Sequence, residues 1–268
     1  MTETSASHAR IQSGDFTGLA SDYSLWRPDY SKSVRDAVIG LLDKDITSAV
    51  VADVGAGTGI WTRMLAERSP RMLTAIEPND DMRTQGMKDT LRTSPSVQWQ
   101  SGSGESTGLQ DSSVDWITMA SSFHWVDFEL GLKEFRRVLR SGGWFTALWN
   151  PRIVESNPVL VSIEKHLLSL APDLQRKSSG RSGLTKDLTS RLEASISVTN
   201  VVYIESKHTI RMSIDRYLGA WRSVNDVRSQ LGEAKFHSFL DFTSELLRDE
   251  SYIDATYLTR AWSARFNK

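Results

Sequence analysis

Val50-Val51-Ala52-Asp53-Val54-Gly55-Ala56-Gly57-Thr58-Gly59 runs from an apolar, β-branched stretch into an acid and then three alternating glycines. The apolar run reads as a buried parallel strand. Downstream, Ile60, Met64 and Leu65 fall at helical spacing, so the glycines occupy a strand-to-helix turn. In an α/β fold that turn brings a ligand against open main chain, because residues without Cβ permit both a tight turn and a close approach.

The spacing separates two kinds of nucleotide ligand. A dinucleotide fingerprint reads G-x-G-x-x-G and faces a pyrophosphate. Here the pattern is Asp53-x-Gly55-x-Gly57-x-Gly59, one residue shorter and led by a carboxylate. A carboxylate repels pyrophosphate but suits a ligand with an ammonium group, such as S-adenosylmethionine. Met72 to Ile76 reads as a second strand ending in Glu77-Pro78-Asn79-Asp80. An acid about twenty residues beyond the glycine turn is where a ribose diol is gripped, which points to Glu77; Asp80 reads as the cap of the next helix. A third strand near Val97 to Gln100 leads into Gly102 to Thr107. There Glu105 and Ser106 offer groups to an adenine edge, although a plain turn explains the two glycines equally well.

With these motifs in place, residues 50–150 resemble a class I S-adenosylmethionine-dependent methyltransferase of the small-molecule, methyltransferase-11-like type. Asp111-Ser112-Ser113-Val114-Asp115-Trp116-Ile117-Thr118-Met119-Ala120 is similar to that family's fourth strand. Ser122-Phe123-His124-Trp125-Val126-Asp127 follows it, as in the branch containing Phe-His-Trp. Glu134 to Gly143 resembles the helix and glycine turn before strand five, and Phe16 to Tyr30 resembles the entry segment of relatives of trans-aconitate methyltransferase. The resemblance implies a doubly wound, Rossmann-like seven-stranded α/β sheet. It implies S-adenosylmethionine as cofactor, held by Tyr23, Arg27, Asp53, Gly55, Ala56, Gly57, Gly59, Glu77, Pro78, Met82, Glu105, Ser106, Ala120, Ser121 and His124. A superfamily that keeps its cofactor half and varies its substrate half does not thereby identify the acceptor.

Helix Ser31 to Leu42 precedes strands near 49–54, 72–77, 97–100, 114–120 and 143–149, which alternate with helices near 59–68, 80–91 and 128–140. Gly142 reads as the left-handed terminator of the last helix. After Pro151, residues 159–170 read as an amphipathic helix, 176–187 as a polar segment, 196–206 as a strand, 213–250 as two helices and 257–266 as a closing strand. One domain over 15–268 is expected, with a loose tail at 1–14 and a helical lid from about 152–190 and 213–250.

The 268 residues carry a net charge of −1 with scattered charges, so nucleic acid is not an expected partner. The absence of cysteine excludes disulfides and thiolate metal sites, no metal site is expected, and a reducing cytoplasm fits. Neither a secretory signal nor a membrane-length apolar run is visible. Oligomeric state is not legible.

Transfer from a sulfonium needs alignment, and a base only when the acceptor arrives protonated. His124 is the local candidate for that base; the competing reading is an imidazole wedged between Phe123 and Trp125 to shape the pocket. Arg27 can fork a carboxylate. Tyr30, Trp125, Asn150, Tyr217, Trp221 and Arg222 are the candidate acceptor-facing residues, with Arg152 and Arg222 of interest for a carboxylate. O-methylation of a small metabolite is slightly preferred. Two other readings stay open: self-reaction of S-adenosylmethionine releasing methylthioadenosine, and non-catalytic binding.

Overall fold

The computed structural model describes residues 18–175 and 183–267. The expected tail at 1–14 and the start of the polar segment at 176–187 lie outside them. At the centre is β1 (Val50–Val54), buried at all five positions as its near-continuous apolar character requires. It pairs in parallel with β2 (Met72–Ile76) on one side and β4 (Val114–Ala120) on the other. β3 (Gln98–Gln100) extends the sheet beyond β2, and β5 (Leu139–Trp149) extends it beyond β4, all still parallel. β7 (Tyr252–Phe266) runs antiparallel between β5 and the edge strand β6 (Val198–Ser213), giving the order β3-β2-β1-β4-β5-β7-β6. The order reverses between β1 and β4, so the carboxyl ends there form the crevice in which open α/β sheets bind ligands.

Helices cover both faces because both are apolar. On one, α2 (Lys32–Ile39) and α3 (Ile60–Ala66) bring Val34, Val38, Trp61 and Leu65 against Val51, Trp116 and Leu148. On the other, α5 (Phe128–Val138) and α7 (Leu188–Glu193) bring Leu132, Phe135 and Leu192 against Phe145, Trp149 and Trp262. Two local expectations are corrected. Gly142 is left-handed (φ +77°), but α5 already ends at Val138 and the glycine bends the start of β5. The helix after β2, α4 (Asp80–Thr93), is capped by Asn79, whose side chain accepts from Met82 N at 3.0 Å. Asp80 lies in its first turn beside Arg83.

Beyond β5, α6 (Pro158–Leu170) is followed after β6 by three helices, not two: α8 (Ile214–Arg222), α9 (Asn225–Leu231) and α10 (Glu233–Leu246). The additional break comes at Gly232, whose φ of +73° a continuous helix cannot hold. These helices share a core with the projecting ends of the two long strands, through Leu160, Ile163, Tyr217, Trp221, Phe239, Ile253 and Ala255. β6 continues to Ser213 and β7 begins at Tyr252, each longer than the sequence suggests. Their outer face is polar there, with Lys207, Thr209 and Arg211 exposed in alternation, so apolar content fades before the strand does. No described helix is long and apolar enough to cross a membrane.

α1 (Ala20–Trp26) ties the two parts together. Gly18 N donates to Asp81 (3.0 Å) and Ser24 Oγ to Asp89 (2.5 Å), both on α4. At its other end Trp26 lies on Gly219 of α8, where an added Cβ would stand 2.4 Å from the indole. Gly219→Ala must therefore displace Trp26, and we expect a loss of about 1–3 kcal/mol, read by urea unfolding, with α1 becoming the first site of limited proteolysis.

Asp53 is buried beneath α3. Thr62 Oγ1 (2.5 Å) and Thr118 Oγ1 (3.0 Å) donate to its two oxygens, joining β1 to α3 and β4. Burial, with a smaller push from Glu77, raises its pKa from 3.8 to about 7. Between those two values the folded protein holds a proton that the unfolded chain has released. This group's contribution to stability is therefore greatest below pH 4, falls as pH rises to 7 and is flat above. Asp53→Asn keeps the hydrogen-bonding capacity without titrating, so its stability relative to the parent should rise steadily from pH 4 to 7 in urea titrations; a flat difference would contradict this placement.

Candidate functional site

The crevice at the strand ends is a cavity of about 540 Å³, walled by the loops after β1, β2, β3 and β4 with Tyr23 and Tyr30 over them. That size suits a ligand as large as S-adenosylmethionine. The glycine turn supplies its floor. Gly57 has φ +58°, and an added Cβ would meet nothing nearer than Met82 Cε at 3.9 Å, so bare main chain faces the space. Gly55 is packed from behind by Ser122 (2.6 Å to a built Cβ), whose Oγ donates to Val54 O at 3.0 Å.

Glu77 is the anchor of the wall. Its Oε2 accepts from Gly57 N (2.8 Å) and its Oε1 from Asn79 N (2.9 Å), so one carboxylate spans the ends of β1 and β2. Burial raises its pKa, and these amides and Arg83 oppose the shift. Across the cleft Tyr30 Oη and Ser121 Oγ share a 2.9 Å hydrogen bond. Ser121 is held at φ +55°, an uncommon value for a residue with a side chain. Burial drives the Tyr30 phenol far above its ordinary pKa, so it stays protonated.

Of the residues singled out from sequence, Tyr23, Tyr30, Gly55, Ala56, Gly57, Glu77, Pro78, Met82, Glu105, Ala120, Ser121 and Trp125 line this one cavity. The others stand elsewhere, each for a visible reason. Asp53 is under the floor, held by the two threonines. Gly59 begins α3 with Trp99 against it, 3.0 Å from a built Cβ. Ser106 closes a tight turn with Ser103, and Ser103 takes the place in the wall. Arg27 donates through Nε to Ser223 Oγ (2.8 Å) and through Nη2 to Ser223 O (3.1 Å), which turns its fork toward the end of α8.

Asn150 bridges Asp29 O (3.0 Å) and Thr259 Oγ1 (2.8 Å), so both ends of its amide are engaged. Tyr217 and Trp221 are buried in the core of α6, α8, α9 and α10, as aromatic residues at helical spacing commonly are. Arg152 lies among them, donating to Tyr217 Oη at 2.8 Å. Arg222 lines a separate outer hollow with His237 and Asp241.

His124 is not placed as a base. Trp149 Nε1–H donates to its Nδ1 at 3.3 Å, which leaves the proton of the neutral ring on Nε2. Burial lowers its pKa to about 4, against a weaker opposing pull from Asp226. At neutral pH it is thus an uncharged ring whose one lone pair already has a partner. Trp125, 4.5 Å from it, is the ring that reaches the cavity.

Several wall residues escaped the sequence reading. Thr58 stands between two of the glycines and Ile60 and Trp61 follow the last, where helical spacing marks Ile60 as part of an apolar face. Asn79, Ser103, Gly104, Met119, Ser122 and Val126 are also in the wall. All but Ser103 adjoin a residue that the sequence singles out, and Ser103 lies two residues before Glu105, because the loops turn along the cavity instead of crossing it.

Residues 52–147 match the model of a methyltransferase domain. An uncharacterized methyltransferase-like protein of Schizosaccharomyces pombe is 33% identical over 133 residues, 49% of this chain and 50% of its own length. An uncharacterized methyltransferase of Mycobacterium bovis is 33% identical over 144 residues, 53% of this chain and 55% of its own. The alignments thus span about half the length of these curated relatives. Among solved structures, one provisionally named a type II methyltransferase, from Anaeromyxobacter dehalogenans, superposes with a TM-score of 0.67. It is 21% identical, and the alignment covers 90% of this chain and 98% of that one, a likeness of fold. The glycine turn and the strand-end acid Glu77 lie within the matched segment, residues 52–147, which is similar to a methyltransferase domain, and the sheet order sets them side by side.

Proposed function

We propose that this protein transfers a methyl group from S-adenosylmethionine to a small-molecule acceptor. The observation that carries the reading is the Glu77 carboxylate at the cavity wall, two backbone amides already on its oxygens, beside the bare backbone of Gly57. Glu77 would receive the ribose hydroxyls through its remaining lone pairs. Gly55, Ala56 and Gly57 would lie along the methionine portion. Pro78, Met82 and the Ser103 to Glu105 loop would flank the adenine. The bound cofactor supplies a methyl group activated by its sulfonium.

The chain's own part is to align the acceptor and exclude water. Tyr30, Ser121 and Trp125 are assigned to the acceptor end, and α6 with α8, α9 and α10 to a lid over the carboxyl edge of the sheet. Arg152 and Arg222, of interest for a carboxylate acceptor, do not line the cavity, nor does His124. The near-neutral charge gives nucleic acid no footprint, and a cysteine-free chain suits the cytoplasm.

Calorimetric titration with S-adenosylhomocysteine is the test. The parent protein should bind it, and Glu77→Ala should weaken binding by about 10–100-fold, the worth of hydrogen bonds to a charged group. Unchanged affinity in the variant would overturn the assignment. Incubation with S-adenosylmethionine alone should leave it intact; methylthioadenosine formed above a no-enzyme control would instead make the cofactor the substrate.

A further inference from the structure

Charge in the cavity wall is one-sided. Among the described residues lining it, the carboxylic acids are Glu77 and Glu105, and none is a lysine, arginine or histidine. The nearby guanidiniums are committed elsewhere: Arg27 to Ser223, Arg63 to Thr58 O (2.7 Å), Arg83 to Glu77 O (2.8 Å), and Arg152 to Tyr217. The same wall carries the rings of Tyr30, Trp61 and Trp125, with Tyr30 and Trp61 edge to face at 5.4 Å. A carboxylate acceptor would meet two like charges and no cationic side chain in the wall. A hydroxyl would need a base, and the lone pair of His124 is engaged by Trp149.

We propose that the acceptor is an amine, its nitrogen received by the aromatic rings of the cavity wall, Tyr30, Trp61 and Trp125. This deepens the methyltransferase reading and rests on it. An uncharged amine brings its own lone pair, so no base is required. Its nitrogen forms the new bond to the methyl carbon as the carbon–sulfur pair returns to sulfur. The product is an ammonium ion, which sheds a proton to solvent if it still carries one. Aromatic faces favour that positive charge, most strongly where water is excluded, and the two carboxylates add to the attraction.

The test uses three probes of one shape and different charge: tetramethylammonium, tert-butanol and pivalate. Each is titrated into the full-length protein saturated with S-adenosylhomocysteine and followed by calorimetry. We expect tetramethylammonium to bind at least about tenfold more tightly than either of the others. Trp125→Leu should reduce that preference and Trp125→Phe should retain it. Failure of S-adenosylhomocysteine itself to bind would sink the methyltransferase reading and this inference with it. If it binds, then no binding of any probe, equal binding of the three, or a preference for pivalate overturns the amine assignment alone. A cation preference unchanged in Trp125→Leu overturns it as well, by placing the cation away from Trp125.

Discussion

Two buried carboxylates hold the glycine turn, and the site depends on them. Asp53 fixes the turn from below by accepting from Thr62 and Thr118, which locks β1 to α3 and β4. Glu77 fixes it from the side by accepting from Gly57 N. Burial drives Asp53, the deeper acid, to a pKa of about 7, and the strand order puts Glu77 close enough to add to that shift. A shallow peptide loop with several left-handed residues would not hold one shape unaided. Here it is clamped between hydrogen bonds on two flanks, so its exposed amides and bare backbone are set before a ligand arrives.

The remaining polar groups follow from that arrangement. With Glu77 and Glu105 as its charged members, the cavity favours a positive partner. The sulfonium of S-adenosylmethionine, the proposed methyl donor, meets that condition, and so does an amine on its way to an ammonium ion. Basic side chains that might have reversed the field are drawn off to other tasks. Arg27, for example, fastens the end of α1 to α8 while α1 itself is hydrogen-bonded to α4. One short helix thus links the element after β2 with the helices proposed as the lid, and Tyr23 on that helix lines the cavity between them.

The sheet was legible because its signals are local: an apolar run for β1, helical spacing on α5 and a glycine turn between strand and helix. The cavity wall was legible wherever one motif carries both backbone and side chain, as at Gly55 to Gly57, Glu77 and Ser121. What failed depended on distant partners. Arg27 read as a cofactor contact from its fork and the resemblance, and Ser223, which that fork engages, lies almost two hundred residues away. His124 read either as a base or as a ring wedged between Phe123 and Trp125, and the donor that bears on that choice, Trp149, lies 25 residues on. Asp53 sits at a strand end facing the ligand in sequence terms, but the alternation of β1 turns its side chain beneath α3. Tyr217 and Trp221 have helical spacing, and spacing alone does not say whether an apolar face covers a ligand or a core.

A crystal structure of the protein with S-adenosylhomocysteine tests the central claim most directly. The account predicts the ribose hydroxyls on Glu77, the amino-acid portion along Gly55 to Gly57, and the sulfur directed toward Tyr30 and Ser121. Density for the ligand outside this cavity, or inside it with Glu77 untouched, would contradict the account.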